Sequence, residues 1–93
     1  MIVSFGDRAT EDLFHGAGSR RTPPDVIATS LRKLDMLNAA AELRDLASPP
    51  GNRLEALRGD HAGMHSIRVN DQWRIVFRWT AQGPAEVRLQ DYH

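Results

Sequence analysis

The sequence predicts an α+β fold: a small antiparallel-rich sheet packed against two or three N-terminal helices. Three observations lead there. Apolar residues recur every three or four positions between Thr22 and Ala41, they recur every second position from Met64 onwards, and clusters of Pro, Gly, Asn and Asp separate these stretches. A period near 3.6 marks a helix with one buried face, and a period of two marks a strand with one buried face. Helices first and strands afterwards put the helices on one side of an antiparallel sheet.

Taken in order, Met1–Phe5 is a short apolar stretch that reads as an opening strand. Asp7 or Thr10 caps a short helix through Phe14, Gly16 ends it, and Gly16–Arg21 is a loop. Thr22-Pro23-Pro24 is a helix start, a capping hydroxyl followed by proline in the first turn. The stripe Ile27, Leu31, Leu34, Leu37 and Ala41 faces the core, while Arg32, Lys33 and Asp35 fall off it and are expected in solvent. A further turn at Glu42–Ala47 is ended by Ser48-Pro49-Pro50-Gly51. Leu54–Leu57, Met64–Val69, Trp73–Thr80 and Ala85–Tyr92 are the strands, and residues 70–72 and 81–84 are the last two turns.

With 93 residues the chain supports one domain, residues 1–93. There is no cysteine, so neither a disulfide nor a thiolate metal site contributes, and His61 and His65, four apart across a loop and a strand, are not aimed at one metal. No metal and no cofactor are expected. The N-terminal residues do not read as a secretory leader, and no apolar run approaches the roughly 18 residues of a membrane span. A cytoplasmic protein without membrane contact is therefore expected. The 12 basic and 12 acidic residues cancel, which argues against a strongly basic nucleic-acid binder. Of the basic residues, however, 11 are arginine and one is Lys33, and arginine offers a planar fork for phosphate.

Register sharpens this. If Val69 lies opposite Trp73 and Ile67 opposite Ile75, the core residues Ile67, Val69, Trp73, Ile75 and Phe77 share one face. Arg68 then lies opposite Arg74 on the other face, where like charges destabilise a strand pair unless something neutralises them. An anion held between them is one such solution, and separate carboxylate partners are the other. Extending the register to the last strand sets Phe77 opposite Val87, Arg78 opposite Glu86, Gln90 opposite Arg74 and Tyr92 opposite Gln72. Tyr92 then shares a face with the two arginines, and Asp91 and His93 nominally point the other way. The weak point is the 70–72 turn, whose last residue is Gln72 where a three-residue hairpin prefers glycine.

The chain ends Asp91-Tyr92-His93. Cleavage of RNA by its own 2′-hydroxyl needs a proton acceptor, a proton donor for the leaving 5′-oxygen, and positive charge on the phosphate. Histidine transfers protons near neutral pH, and arginine stabilises the developing charge. The same terminal residues would also suit a frayed, solvated chain end.

Three segments carry a family resemblance: Leu54-Glu55-Ala56-Leu57-Arg58-Gly59-Asp60, then Ser66-Ile67-Arg68-Val69-Asn70-Asp71-Gln72-Trp73-Arg74-Ile75, and the terminal Asp91-Tyr92-His93. They resemble the HigB branch of the RelE/ParE toxin superfamily, and Glu42–Leu46 with Ser48–Arg53 resemble its GraT-like members. The resemblance implies the toxin of a type II toxin–antitoxin system, a ribosome-dependent mRNA endoribonuclease that inhibits translation. It implies as partners the ribosome, mRNA and a HigA-like helix-turn-helix antitoxin, with operator DNA reached only through that antitoxin. By position it implies catalytic roles for His93, Tyr92, Asp91, Arg74 and Arg68, with Arg58 contacting RNA. Asn70 and Arg78 complete the RNA-binding candidates. One departure stands out: some HigB toxins carry His where this chain has Glu55. Two other readings stay open, a toxin of the same fold aimed at a protein such as DNA gyrase, and a non-catalytic module that binds RNA or protein.

Overall fold

The computed structural model describes residues 1–17 and 22–92. Its helices are α1 (Arg8–Phe14) and α2 (Pro24–Ala39), and its strands are β1 (Glu55–Ala56), β2 (His65–Arg68), β3 (Trp73–Thr80) and β4 (Gly83–Asp91). The four strands form one antiparallel sheet in the order β1-β2-β3-β4. Both helices pack on one face, α1 against β4 and α2 against β3 and β4. Leu34 and Leu37 of α2 meet Ile67, Ile75, Phe77 and Val87 in a core from which water is excluded. The α+β expectation therefore holds, with two α-helices and several short 3-10 turns.

Each helix start follows from local chemistry. The Asp7 carboxylate accepts from the Thr10 amide at 2.8 Å, so Asp7 and not Thr10 caps α1. Thr10 is buried, and its hydroxyl accepts the Leu89 amide at the free edge of β4. At α2 the cap position is Pro23 with Pro24 in the first turn, and no side chain caps the helix. The expected Thr22 hydroxyl cap is thus replaced by two prolines, whose fixed φ starts the helix unaided. The helix ends at Ala39, so Ala41 is exposed beyond it and does not belong to the stripe.

Met1–Phe5 is not a strand. It runs beside β4 with a single parallel bridge, Phe5 to Val87. Val3 donates to the Pro84 carbonyl, and the Val87 amide to the Ser4 carbonyl. Together with Thr10 this segment covers an edge that would otherwise present open backbone groups. Its passage is close: a Cβ at Gly83, where φ is +129°, would lie 2.4 Å from the Met1 carbonyl oxygen.

The strands are as expected to within two residues at each end, and β3 matches its expected span. Ile67 lies opposite Ile75 and Arg68 opposite Arg74; Ile75 lies opposite Leu89 and Arg74 opposite Gln90. Beyond Val76 the register shifts by a bulge, so Arg78 lies opposite Ala85 and not Glu86, and Phe77 has no direct partner in Val87. The physical reason is the N-terminal segment. Ser4 takes the amides of both Glu86 (2.9 Å) and Val87 (3.1 Å), and Glu86 turns into left-handed backbone at φ 54°. The Arg78–Glu86 ion pair survives at 2.8 Å because both side chains can reach across the bulge.

The 70–72 hairpin resolves its missing glycine. The Asn70 side-chain oxygen accepts the amides of both Gln72 and Trp73 at 2.8 Å, so none of these residues takes the left-handed conformation that favours glycine. Residues 59–61 form a 3-10 turn.

Candidate active site

Alternation along β2, β3 and β4 sends Ser66, Arg68, Arg74, Val76, Arg78, Arg88 and Gln90 to the face opposite the helices. Glu55 joins them from β1, opposite Ser66. Val76 and Ser66 are nonetheless fully buried.

Arg74 is the best-held side chain of this face. Its Nε donates to the Ser66 hydroxyl at 2.8 Å, and one terminal nitrogen donates to the Arg53 carbonyl at 2.7 Å. The Glu55 carboxylate lies 3.9 Å from the same nitrogen. Arg68, directly opposite on β2, pairs with Asp71 at the tip of the 70–72 turn. The repulsion between the facing arginines is therefore divided: each has its own carboxylate, and Arg74 is also turned toward β1. Asp71 is almost wholly exposed, so its pair with Arg68 is easily exchanged for another anion.

The C-terminal residues reach the same end of the sheet. The Tyr92 amide donates to the Gln72 carbonyl at 2.6 Å, and the Tyr92 side chain is exposed. Asp91 lies opposite Trp73, and its carboxylate accepts from the Gln72 side-chain amide at 3.1 Å. Asp91 thus stands one position, and Tyr92 two, beyond the Arg74–Gln90 pair. His93 lies outside the described residues.

The RNA-binding candidates are not gathered in the same way. Asn70 spends its side-chain oxygen on the turn. Arg78 is four residues from Arg74 along β3, about 13 Å away at the rise of a strand, and is paired with Glu86. Arg58 is exposed at the start of the 59–61 turn and makes no ion pair among the described residues.

Four site contributions escaped the sequence reading. Ser66 was legible, since it shares parity with Arg68 and sits diagonal to Arg74. Glu55 was legible only as a departure from the family pattern. The Arg53 carbonyl carries no side-chain signal. Lys33, expected in solvent, is buried, and its ammonium donates to the side-chain oxygen of fully buried Asn52. Burial lowers the Lys33 pKa from its ordinary value, and the positive charges of Arg32 and Arg68 lower it further.

Two helices on one face of a four-stranded antiparallel sheet, with the arginines on the other, make a small RelE-like fold. Over residues 3–93 the chain matches the HigB-like toxin model, described as a RelE-like toxin of the type II toxin–antitoxin system HigB. It is 42% identical over 80 residues to Toxin HigB-1 of Vibrio cholerae, covering 85% of this chain and 84% of that one. It is 28% identical to Endoribonuclease HigB of Proteus vulgaris over the full length of both. The fold matches a YoeB/ParE toxin from Agrobacterium tumefaciens with a TM-score of 0.56 and 23% identity, covering 99% of this chain and 98% of that one. The chain belongs to the HigB-like toxin family, and membership of a type II toxin–antitoxin family carries an antitoxin partner with it. Among the described residues no helix is long and apolar enough to cross a membrane.

Proposed function

We propose that this toxin is a cytoplasmic endoribonuclease that cuts mRNA on the ribosome and is restrained by a HigA-like helix-turn-helix antitoxin. Operator DNA is reached only through that antitoxin. The Proteus vulgaris relative named as an endoribonuclease, matching end to end, supports the activity. The observation that carries the site is Arg74, oriented by Ser66 and Arg53 on a face it shares with Arg68 and Glu55.

In this reading the scissile phosphate displaces the carboxylates from Arg68 and Arg74, whose guanidinium groups stabilise the charge that builds on its oxygens. The 2′-hydroxyl loses its proton as its oxygen attacks phosphorus. The bond to the 5′-oxygen breaks, that oxygen takes a proton, and the products are a cyclic phosphate and a free 5′-hydroxyl. Glu55 is the carboxylate beside Arg74 and is assigned the proton from the 2′-hydroxyl. His93 is assigned delivery to the leaving oxygen, Tyr92 stacking on or orienting a base, and Asp91 orienting the tail. No step requires a metal or a cofactor. Arg58, Asn70 and Arg78 are assigned to the RNA backbone around the site, with Arg58 the best placed because it is exposed and makes no ion pair among the described residues.

The test is incubation with programmed ribosomes and end-labelled mRNA, beside His93→Ala and Arg74→Ala. Cuts at the ribosomal A site that vanish in both folded variants are expected. Absence of cuts by folded wild-type protein, with growth arrest retained in cells, would move the target from RNA to a protein.

A further inference from the structure

We propose that Lys33 and Asn52 are positioning residues for Arg74, holding the Arg53 carbonyl that orients its guanidinium. The inference rests on the endoribonuclease reading and names the device that aims its principal phosphate-binding group.

An ammonium buried on α2 is expensive unless it is well partnered. Lys33 is only 7% exposed, and its hydrogen bond goes to Asn52, which is fully buried. Lysine has donors only, so the Asn52 amide has one possible orientation: oxygen toward Lys33, nitrogen away. That nitrogen donates to the carbonyls of Leu46 (3.1 Å) and Ser48 (3.4 Å). Three anchors thus tie residue 52 to α2 and to the segment that follows it.

Arg53 comes next, in left-handed backbone at φ 45° and ψ 58°. A non-glycine residue holds this conformation only where its surroundings impose it. On one side the imposition is the anchored Asn52; on the other, the Arg53 carbonyl accepts from Arg74. With Nε on Ser66 and one terminal nitrogen on Arg53, the Arg74 plane is fixed across β2, and its remaining donors are left for a phosphate. Nothing in the reaction uses Lys33 or Asn52 directly, and neither reaches the open face.

Replacing Lys33 by methionine leaves the Asn52 oxygen buried without a donor, so the amide must turn and the Arg53 carbonyl must shift. A displacement of about 1 Å in a catalytic group costs roughly 100-fold in rate. The experiment prepares Lys33→Met and Asn52→Asp, each alone and combined with Arg74→Ala. Asn52→Asp keeps an acceptor for Lys33 and removes the donor to Leu46 and Ser48. The first readout needs no cleavage: the Arg74 Nε–H resonance in nitrogen-edited NMR, assigned by its loss in Arg74→Ala. It is expected to be shifted and slow to exchange in the wild type, and to move toward that of a free arginine in both variants.

The second readout is single-turnover cleavage on programmed ribosomes. A loss of about 10- to 100-fold in kcat at unchanged KM is expected, with no further loss in the Arg74→Ala background. An unmoved Arg74 resonance, a wild-type kcat in a folded variant, or an equal loss in both backgrounds would overturn the proposal. Should Lys33→Met not fold, Asn52→Asp decides by the same criteria. If the wild-type protein cuts no RNA, the nuclease reading falls alone, and the Arg74 resonance still decides the positioning.

Discussion

Arg74 shows how little of a side chain's aim is the property of one residue. An arginine on an exposed strand face would sample many rotamers. Here two hydrogen bonds, to Ser66 and Arg53, remove that freedom before substrate arrives. Arg74→Ala is therefore expected to lower the single-turnover cleavage rate by about 10²- to 10³-fold, the range for loss of one preorganised charge-stabilising donor. Glu55→Gln separates two roles for the carboxylate. As proton acceptor, its loss lowers the rate by about 10²-fold. As a mere counter-charge, its loss leaves the rate unchanged and tightens RNA binding.

Lys33 makes a prediction about stability at the same scale. Its pKa in the folded protein lies below the ordinary value of 10.5, through burial and the charges of Arg32 and Arg68. The folded state therefore binds fewer protons than the unfolded state over the window between the lowered value and 10.5. Stability from this group rises with pH through that window. Urea unfolding from pH 7 to 10 should show the wild type gaining on Lys33→Met as pH rises; a constant difference would contradict a lowered pKa.

Among the elements, the hairpin of β2 and β3 aligns Arg68 with Arg74, and Asn70 is what closes it. Asn70→Ala removes both side-chain bonds to the turn amides. A loss of about 1 kcal/mol for each net hydrogen bond is expected in denaturant melts, together with weaker cleavage through disorder of the Arg68–Asp71 pair. The α1 cap is a control far from the site. Asp7→Ala should cost about 1 kcal/mol of stability and leave the cleavage rate of the folded fraction unchanged. The short β1 strand looks marginal by itself, yet it brings Glu55 beside Ser66, and the 3-10 turns before it carry Asn52 and Arg53 to the sheet edge.

At the scale of the whole molecule, charge and fold address different tasks. A chain with zero net charge has no long-range pull on RNA. Binding to free single-stranded RNA should therefore lie at the weak end of the non-specific range, a Kd of about 10⁻⁴ M or more at physiological salt, checked by fluorescence anisotropy. In the proposed function the remaining affinity comes from the ribosome.

The sequence by itself determined the two helices, the four paired strands, the β2–β3 register and the identity of the arginine pair. These follow from local rules: periodicity declares which face is buried, and a one-residue slip would expose every core side chain of a strand. Only the tertiary structure decided that Met1–Phe5 would cover β4 instead of forming a strand, that Ser4 would bulge the sheet at Glu86, and that Lys33 would be buried. Each depends on residues far apart in the chain, such as Ser4 with Glu86 or Lys33 with Asn52. The orientation of Arg74 belongs to the same class, because a backbone carbonyl at Arg53 leaves no trace in side-chain chemistry. Local patterns encode which groups are present and which way they face; their aim is set by contacts that exist only once the chain has closed on itself.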